Sequence, residues 1–140
     1  MFWDTSAIIP VLLPEPRSAA LTEALASDRE VTLWWGTPVE CLSAVYRRHR
    51  DSPVPAPLLT EALSRLRALV EDADAVSPTD EVRRRAGRLV AAHPLRAADA
   101  LQLGAALVWC EEQSHGEVFV CLDDRLREAA RREGFSLMPQ

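Results

Sequence analysis

The sequence predicts an α/β domain with a largely parallel sheet and helices on both faces. Two features carry that expectation. Short β-type runs alternate with longer helical patterns along the whole chain. Apolar residues at 48% and charged residues at 26% supply enough hydrophobicity for a packed core rather than disorder. No internal repeat or low-complexity tract interrupts the order. At 140 residues the chain is expected to form one domain, spanning 1–140.

The elements follow in sequence. Phe2 to Asp4 reads as a short strand, and Asp4 is placed to cap a helix beginning near Ser6. The apolar stretch Ala7 to Leu13 is short, is broken by Pro10 and has no basic segment before it, so it fits neither a signal peptide nor a membrane span. Ser18 to Ala26 has helical spacing, and Val31 to Trp35 reads as a buried strand. Helices are expected over Val39 to Arg48 and Leu58 to Glu71, joined by a Pro-rich loop from Asp51 to Pro57. Ala73 to Val76 fits a short strand, and helices follow over Glu81 to Ala91 and Ala98 to Glu112. The second of these is apolar nearly all round, which predicts burial. Glu117 to Leu122 is the clearest strand. Helix Arg125 to Arg132 comes next, then a stop at Gly134 and a last strand over Phe135 to Met138.

Charge and composition narrow the function. The formal charge of −5 argues against a protein that coats nucleic acid by neutralising phosphates, without excluding a nuclease. All 16 basic residues are arginine, so the chain has no lysine. Receiver domains and haloacid-dehalogenase-like phosphatases also gather aspartates at strand ends, but both use a lysine to hold the phosphoryl group, and both fall. Five glycines without a Gly-x-Gly-x-x-Gly or Gly-Lys-Ser/Thr order remove dinucleotide and P-loop functions. Cys41, Cys110 and Cys121 form no Cys-x-x-Cys pair and read as small buried residues of a reducing compartment, which points to the cytoplasm. A chain of this length buries roughly 70% of its unfolded surface and needs no metal staple. Any metal it binds is expected to be functional.

In parallel sheets ligands sit beyond the carboxyl ends of the strands. Asp4, Glu40 and Asp123 fall on that edge, and Asp99 joins them if its helix begins there. Like-charged carboxylates about 4 Å apart cost about 1 kcal/mol per pair in water and about 4 kcal/mol at an effective dielectric of about 20. Such a cluster needs cations, and carboxylate oxygens without cysteine or histidine at metal spacing point to Mg²⁺ or Mn²⁺. Each acid alone also fits a helix cap. Thr37-Pro38-Val39-Glu40 and Asp99-Ala-Leu-Gln102 are capping-box patterns, and Asp123 or Asp124 is placed to cap the last helix.

Four spaced motifs, MFWDTSAIIPVLLPE, TPVECLSAVYRR, LRAADALQLGAAL and VFVCLDDRLREAARREGF, together resemble the PIN domain family, and most of all the VapC-type toxins of bacterial toxin–antitoxin pairs. The resemblance spans nearly the whole chain. It implies a three-layer α/β/α sandwich and a Mg²⁺- or Mn²⁺-dependent endoribonuclease whose acidic pocket is Asp4, Glu40, Asp99 and Asp123. On this reading Asp4 and Asp99 are the main ligands. Asp123 completes the site directly or through water, Glu40 is a ligand or the base that activates water, and Asp124 is a cap. Ser6 matches the polar residue that follows the first aspartate, where it binds a ligand water or orients Asp4. Where the family often has serine or threonine two residues before the last acid, this chain has Cys121, a weak hydrogen-bonding partner.

The resemblance further implies a homodimer and an antitoxin whose C-terminal segment lies in the acidic groove. Alternatives of the same fold are an RNA-maturation nuclease and an interaction module that does not cleave. Arg17, Arg47, Arg48, Arg96 and Arg125 lie near the motifs, where each reads either as part of a solvated helix face or as a contact to a flanking phosphate. His49, His93 and His115 read as surface or structural residues. Trp34 and Trp35, adjacent in a strand, are expected to face opposite ways.

Overall fold

Phe2 pairs in parallel with Thr32 on one side and with Phe119 on the other, so the first strand of the sequence lies at the centre of the sheet. The computed structural model describes residues 1–13 and 18–140. Among them, the elements run β1 (Phe2–Trp3), α1 (Thr5–Leu12), α2 (Ser18–Ser27), β2 (Thr32–Trp34), α3 (Thr37–Asp51), α4 (Ala56–Asp72), β3 (Asp74–Val76), α5 (Asp80–Ala92), α6 (Ala97–Trp109), β4 (Val118–Val120), α7 (Asp124–Arg132) and β5 (Ser136–Met138). The strands form one all-parallel sheet in the order β3-β2-β1-β4-β5.

Strand periodicity sorts the core into two layers. Phe2, Trp34 and Phe119 face α5, α6 and α7, while Trp3, Leu33 and Val120 face α1, α2, α3 and α4. Phe2 and Phe119 stack at 5.5 Å between ring centroids across the central strand pair. The result is the expected three-layer α/β/α sandwich. Gly104 allows a close approach of α6 to α5, because a Cβ there would sit 3.1 Å from the Ala86 nitrogen and the Val82 oxygen.

The differences from expectation have local causes. The apolar stretch after Asp4 is a helix in spite of Pro10, and the Ser18 hydroxyl donates to the Pro10 carbonyl. Helices α3 and α4 extend into the predicted Asp51–Pro57 loop, which shrinks to residues 52–55. Pro57 lies in the first turn of α4, where a missing N–H costs nothing. Helix α6 stops at Trp109 rather than Glu112, because Glu111 and Glu112 adopt left-handed φ angles of 49° and 65°. Strand β2 ends at Trp34. Trp35 lies just past it and is 60% exposed, whereas Trp34 is in the core. Gly134, at φ 98°, ends α7 as the sequence suggests. Among the described residues no helix is long and apolar enough to cross a membrane.

Candidate active site

The chain leaves β1 in one direction to build β2 and β3 and returns to build β4 and β5 on the other side, so the strand order reverses at β1. A cleft opens where such a reversal occurs, at the carboxyl ends of the strands. Here it has a volume of about 670 Å³, and Asp4, Ser6, Glu40, Asp99 and Asp123 all line it. The helix bearing Asp99 does begin at this edge.

Asp4 ends β1 and caps α1. Its Oδ2 accepts the Ser6 backbone N–H at 2.9 Å and the Ser6 hydroxyl at 2.5 Å. Asp4 is only 4% exposed, and burial drives its pKa up to about 6 against the opposing pull of the Ser6 hydrogen bonds, with the charge of Glu40 adding to the rise. The Ser6 oxygen in turn accepts the backbone N–H groups of Leu122 at 2.8 Å and Asp123 at 3.3 Å, so one hydroxyl joins the ends of β1 and β4. Cys121 fills the place beside them. Its sulfur lies 3.6 Å from both Asp4 Oδ2 and Ser6 Oγ, and burial holds the thiol far above its ordinary pKa.

Glu40 is not held by a capping box. The residue before α3 is Gly36, which provides no side-chain cap, and the Glu40 carboxylate turns instead toward α1 and α6. Its Oε2 accepts from Thr5 Oγ1 at 2.9 Å and from Gln102 Nε2 at 3.1 Å. Asp99 does take a capping position, but as the third residue of α6, where its Oδ2 accepts the Arg96 backbone N–H at 3.4 Å. Gln102 is thus not its capping partner. Partial burial raises the Asp99 pKa and the charge of Asp123 adds to it, opposed by the Arg96 amide and by the charges of Arg96 and Arg125. Asp123 caps α7 by accepting from Leu126 N–H at 2.9 Å, so the cap expected of Asp124 belongs to Asp123.

The acids thus stand in two pairs, Asp4 with Glu40 and Asp99 with Asp123, each close enough for one charge to raise the pKa of the other member named above. Among the described residues no three His, Cys, Asp or Glu side chains already converge as an ion-binding group. The donor chemistry nevertheless fits a hard divalent cation: the cleft offers carboxylate and hydroxyl oxygens, and neither histidine nor cysteine lines it. A positive charge there would offset the cost of keeping Asp4 ionised in a buried position.

Around this cleft, Arg47 lines one wall, and Arg96 and Arg125 flank Asp99 and Asp123 in an adjoining recess. Arg48 is exposed on α3, and Arg17 lies outside the described residues. None of the histidines lines the cleft. His93 Nε2 pairs with Glu133 Oε1 at 2.8 Å, and His49 Nδ1 accepts the Val54 N–H at 3.0 Å. The sequence reading missed Thr5 and Gln102 as partners of Glu40. The signal for Gln102 was present, a lone amide within the apolar run of α6 and on the face of Asp99 three residues earlier.

Comparison with known proteins agrees with this architecture. The family model described as PIN domain matches residues 1–132. No curated protein matches the chain.

Proposed function

Because the chain belongs to the PIN domain family, a family of nucleases, we propose that it is a Mg²⁺- or Mn²⁺-dependent endoribonuclease and the toxin of a VapC-type toxin–antitoxin pair. The observation that carries the reading is one cleft at the strand-order reversal lined by four carboxylates, Asp4, Glu40, Asp99 and Asp123. Helix caps alone do not explain all four, since Glu40 caps nothing.

Asp4 and Asp99 hold the metal, with Asp123 completing the site. When bound, the metal supplies an activated water and relief of the negative charge that builds on phosphorus. Glu40 is a further ligand, directly or through that water, or takes the water's proton at the carboxylate. Ser6 keeps Asp4 aimed into the cleft through its hydroxyl. Arg47, Arg96 and Arg125 bind the phosphates on either side of the scissile bond, which answers how an acidic protein approaches a polyanion.

For protein partners, the support lies on α3. Val39, Leu42 and Tyr46 are exposed at helical spacing on one stripe, with the exposed Trp35 just before the helix, and Leu42 and Tyr46 border a groove shared with Leu63 and Val70 of α4. This surface suits the apolar part of a cognate antitoxin or a second copy of the chain, in a cytoplasmic complex.

Titration calorimetry with Mn²⁺, metal alone, tests the reading without knowledge of the RNA. Wild type is expected to bind, and Asp4→Asn and Asp99→Asn are expected to lose binding while staying folded. Absence of binding by the metal-free wild type at millimolar Mn²⁺ overturns the metal site and favours the interaction module.

A further inference from the structure

Gln102, on α6 three residues after Asp99, is a polar side chain only 1% exposed. Burying a primary amide without partners costs about 1–3 kcal/mol in proteins, so its partners explain why it is there. They come from two other helices. Nε2 lies 3.1 Å from Thr5 Oγ1 at the start of α1, 3.1 Å from Thr37 Oγ1 at the start of α3, and 3.1 Å from Glu40 Oε2 one turn further along α3. Thr37 is itself wholly buried, and its hydroxyl lies 3.5 Å from Gln102 Oε1, so the amide is held at both ends.

The Thr5 and Gln102 bonds both end on the same Glu40 oxygen, Oε2. Among the described residues Oε1 carries no protein hydrogen bond, which leaves that oxygen to the cleft. We propose that Gln102 is a positioning residue: with Thr5 it occupies Oε2 of Glu40, fixes the rotation of the carboxylate and presents Oε1 to the bound cation or its water. The helix that carries Asp99 thereby also sets the aim of Glu40, three residues on and from below.

The inference rests on the metal-dependent reading given above, and its test separates the two. Mn²⁺ alone is titrated calorimetrically into the full-length protein as wild type, Gln102→Met, Glu40→Gln and the double variant, with thermal unfolding measured on each. Methionine keeps the length and volume of glutamine without its amide. Loss of a hydrogen bond that orients a metal ligand typically costs about 10–100-fold in affinity, so Gln102→Met is expected to weaken Mn²⁺ binding about tenfold. In the Glu40→Gln background the same change is expected to cost nothing further, because its route to the metal is gone. Equal affinity of wild type and Gln102→Met overturns the proposal. So does an equal loss in both backgrounds, which is the sign of a general packing defect. If Gln102→Met does not fold, Thr5→Val replaces it with the same two expectations, since it removes the other bond to Oε2. A wild type that does not bind Mn²⁺ overturns the metal reading itself, a result distinct from these.

Discussion

Ser6 and Leu122 are 116 positions apart, and the hydroxyl of the first accepts the backbone N–H of the second at 2.8 Å. The same oxygen donates its proton to Asp4, so the turn after β1 and the turn after β4 share one hinge pin. Ser6→Ala removes this oxygen and leaves two backbone N–H groups without their partner. A stability loss of about 1–3 kcal/mol is expected by denaturant titration, with faster amide exchange at residues 121–124. Unchanged exchange there would show that the turn is held by other contacts.

Asp4 places stability and function in opposition. Its folded pKa near 6 lies above the ordinary 3.8, so the native state holds the proton more tightly than the unfolded chain. The resulting stabilisation is complete below pH 3.8 and is lost as pH rises through 6. At neutral pH the ionised carboxylate therefore weighs against folding by up to about 3 kcal/mol. Asp4→Asn is expected to melt higher than wild type at pH 8 and to lose that advantage at pH 4. Added Mn²⁺ is expected to raise the melting temperature of wild type at pH 8 but not that of Asp4→Asn, and a chelator to reverse the gain. Equal melting of the two proteins across the pH range would contradict this account of Asp4.

Arg127 ties the last strand to the edge of the site. Its guanidinium donates to the Cys121 carbonyl at 2.6 Å and to the Pro139 carbonyl at 2.7 Å, with Met138 at 3.4 Å. Arg127→Met keeps most of the stem packing and removes these donors, leaving carbonyls short of partners. An expected loss of about 2 kcal/mol, with early proteolysis after residue 135, checks the assignment. A variant as stable and as resistant as wild type would show that β5 is held by its pairing alone.

The thiols are expected to be silent. Cys41 and Cys121 are fully buried, and burial drives the Cys41 pKa up to about 12 and raises that of Cys121 as well. In the native protein an aromatic disulfide reagent is expected to modify at most the half-buried Cys110, and all three cysteines only after unfolding. Rapid native labelling of Cys121 would mean that the turn beside Asp4 opens.

Much of this was legible in the residues. The alternation of strand and helix gave the parallel sheet, and the rule that ligands gather at strand ends chose Asp4, Glu40 and Asp123, all of which line the cleft. What failed was local. The spacing from Thr37 to Glu40 fits a capping box, yet the tertiary bonds from Thr5 and Gln102 win the carboxylate. The cap at Asp4 announces α1, whereas Pro10 masks how far it runs; a helix capped by Asp4 and packed on α2, α3 and α4 absorbs one missing N–H. The left-handed Glu111 and Glu112 carry no glycine or asparagine to announce them. Sequence spacing shows which side chains share a face, but not which distant hydroxyl or amide reaches them first.

The central place of β1 also governs how the protein comes into being on a ribosome. Asp4 is made 117 positions before the Cys121 it touches. Until then one edge of β1 stays unpaired and the chain carries only part of its carboxylate set. Closure across so long a stretch is the entropically slow event of folding. Half-made copies of the chain therefore carry no assembled cleft.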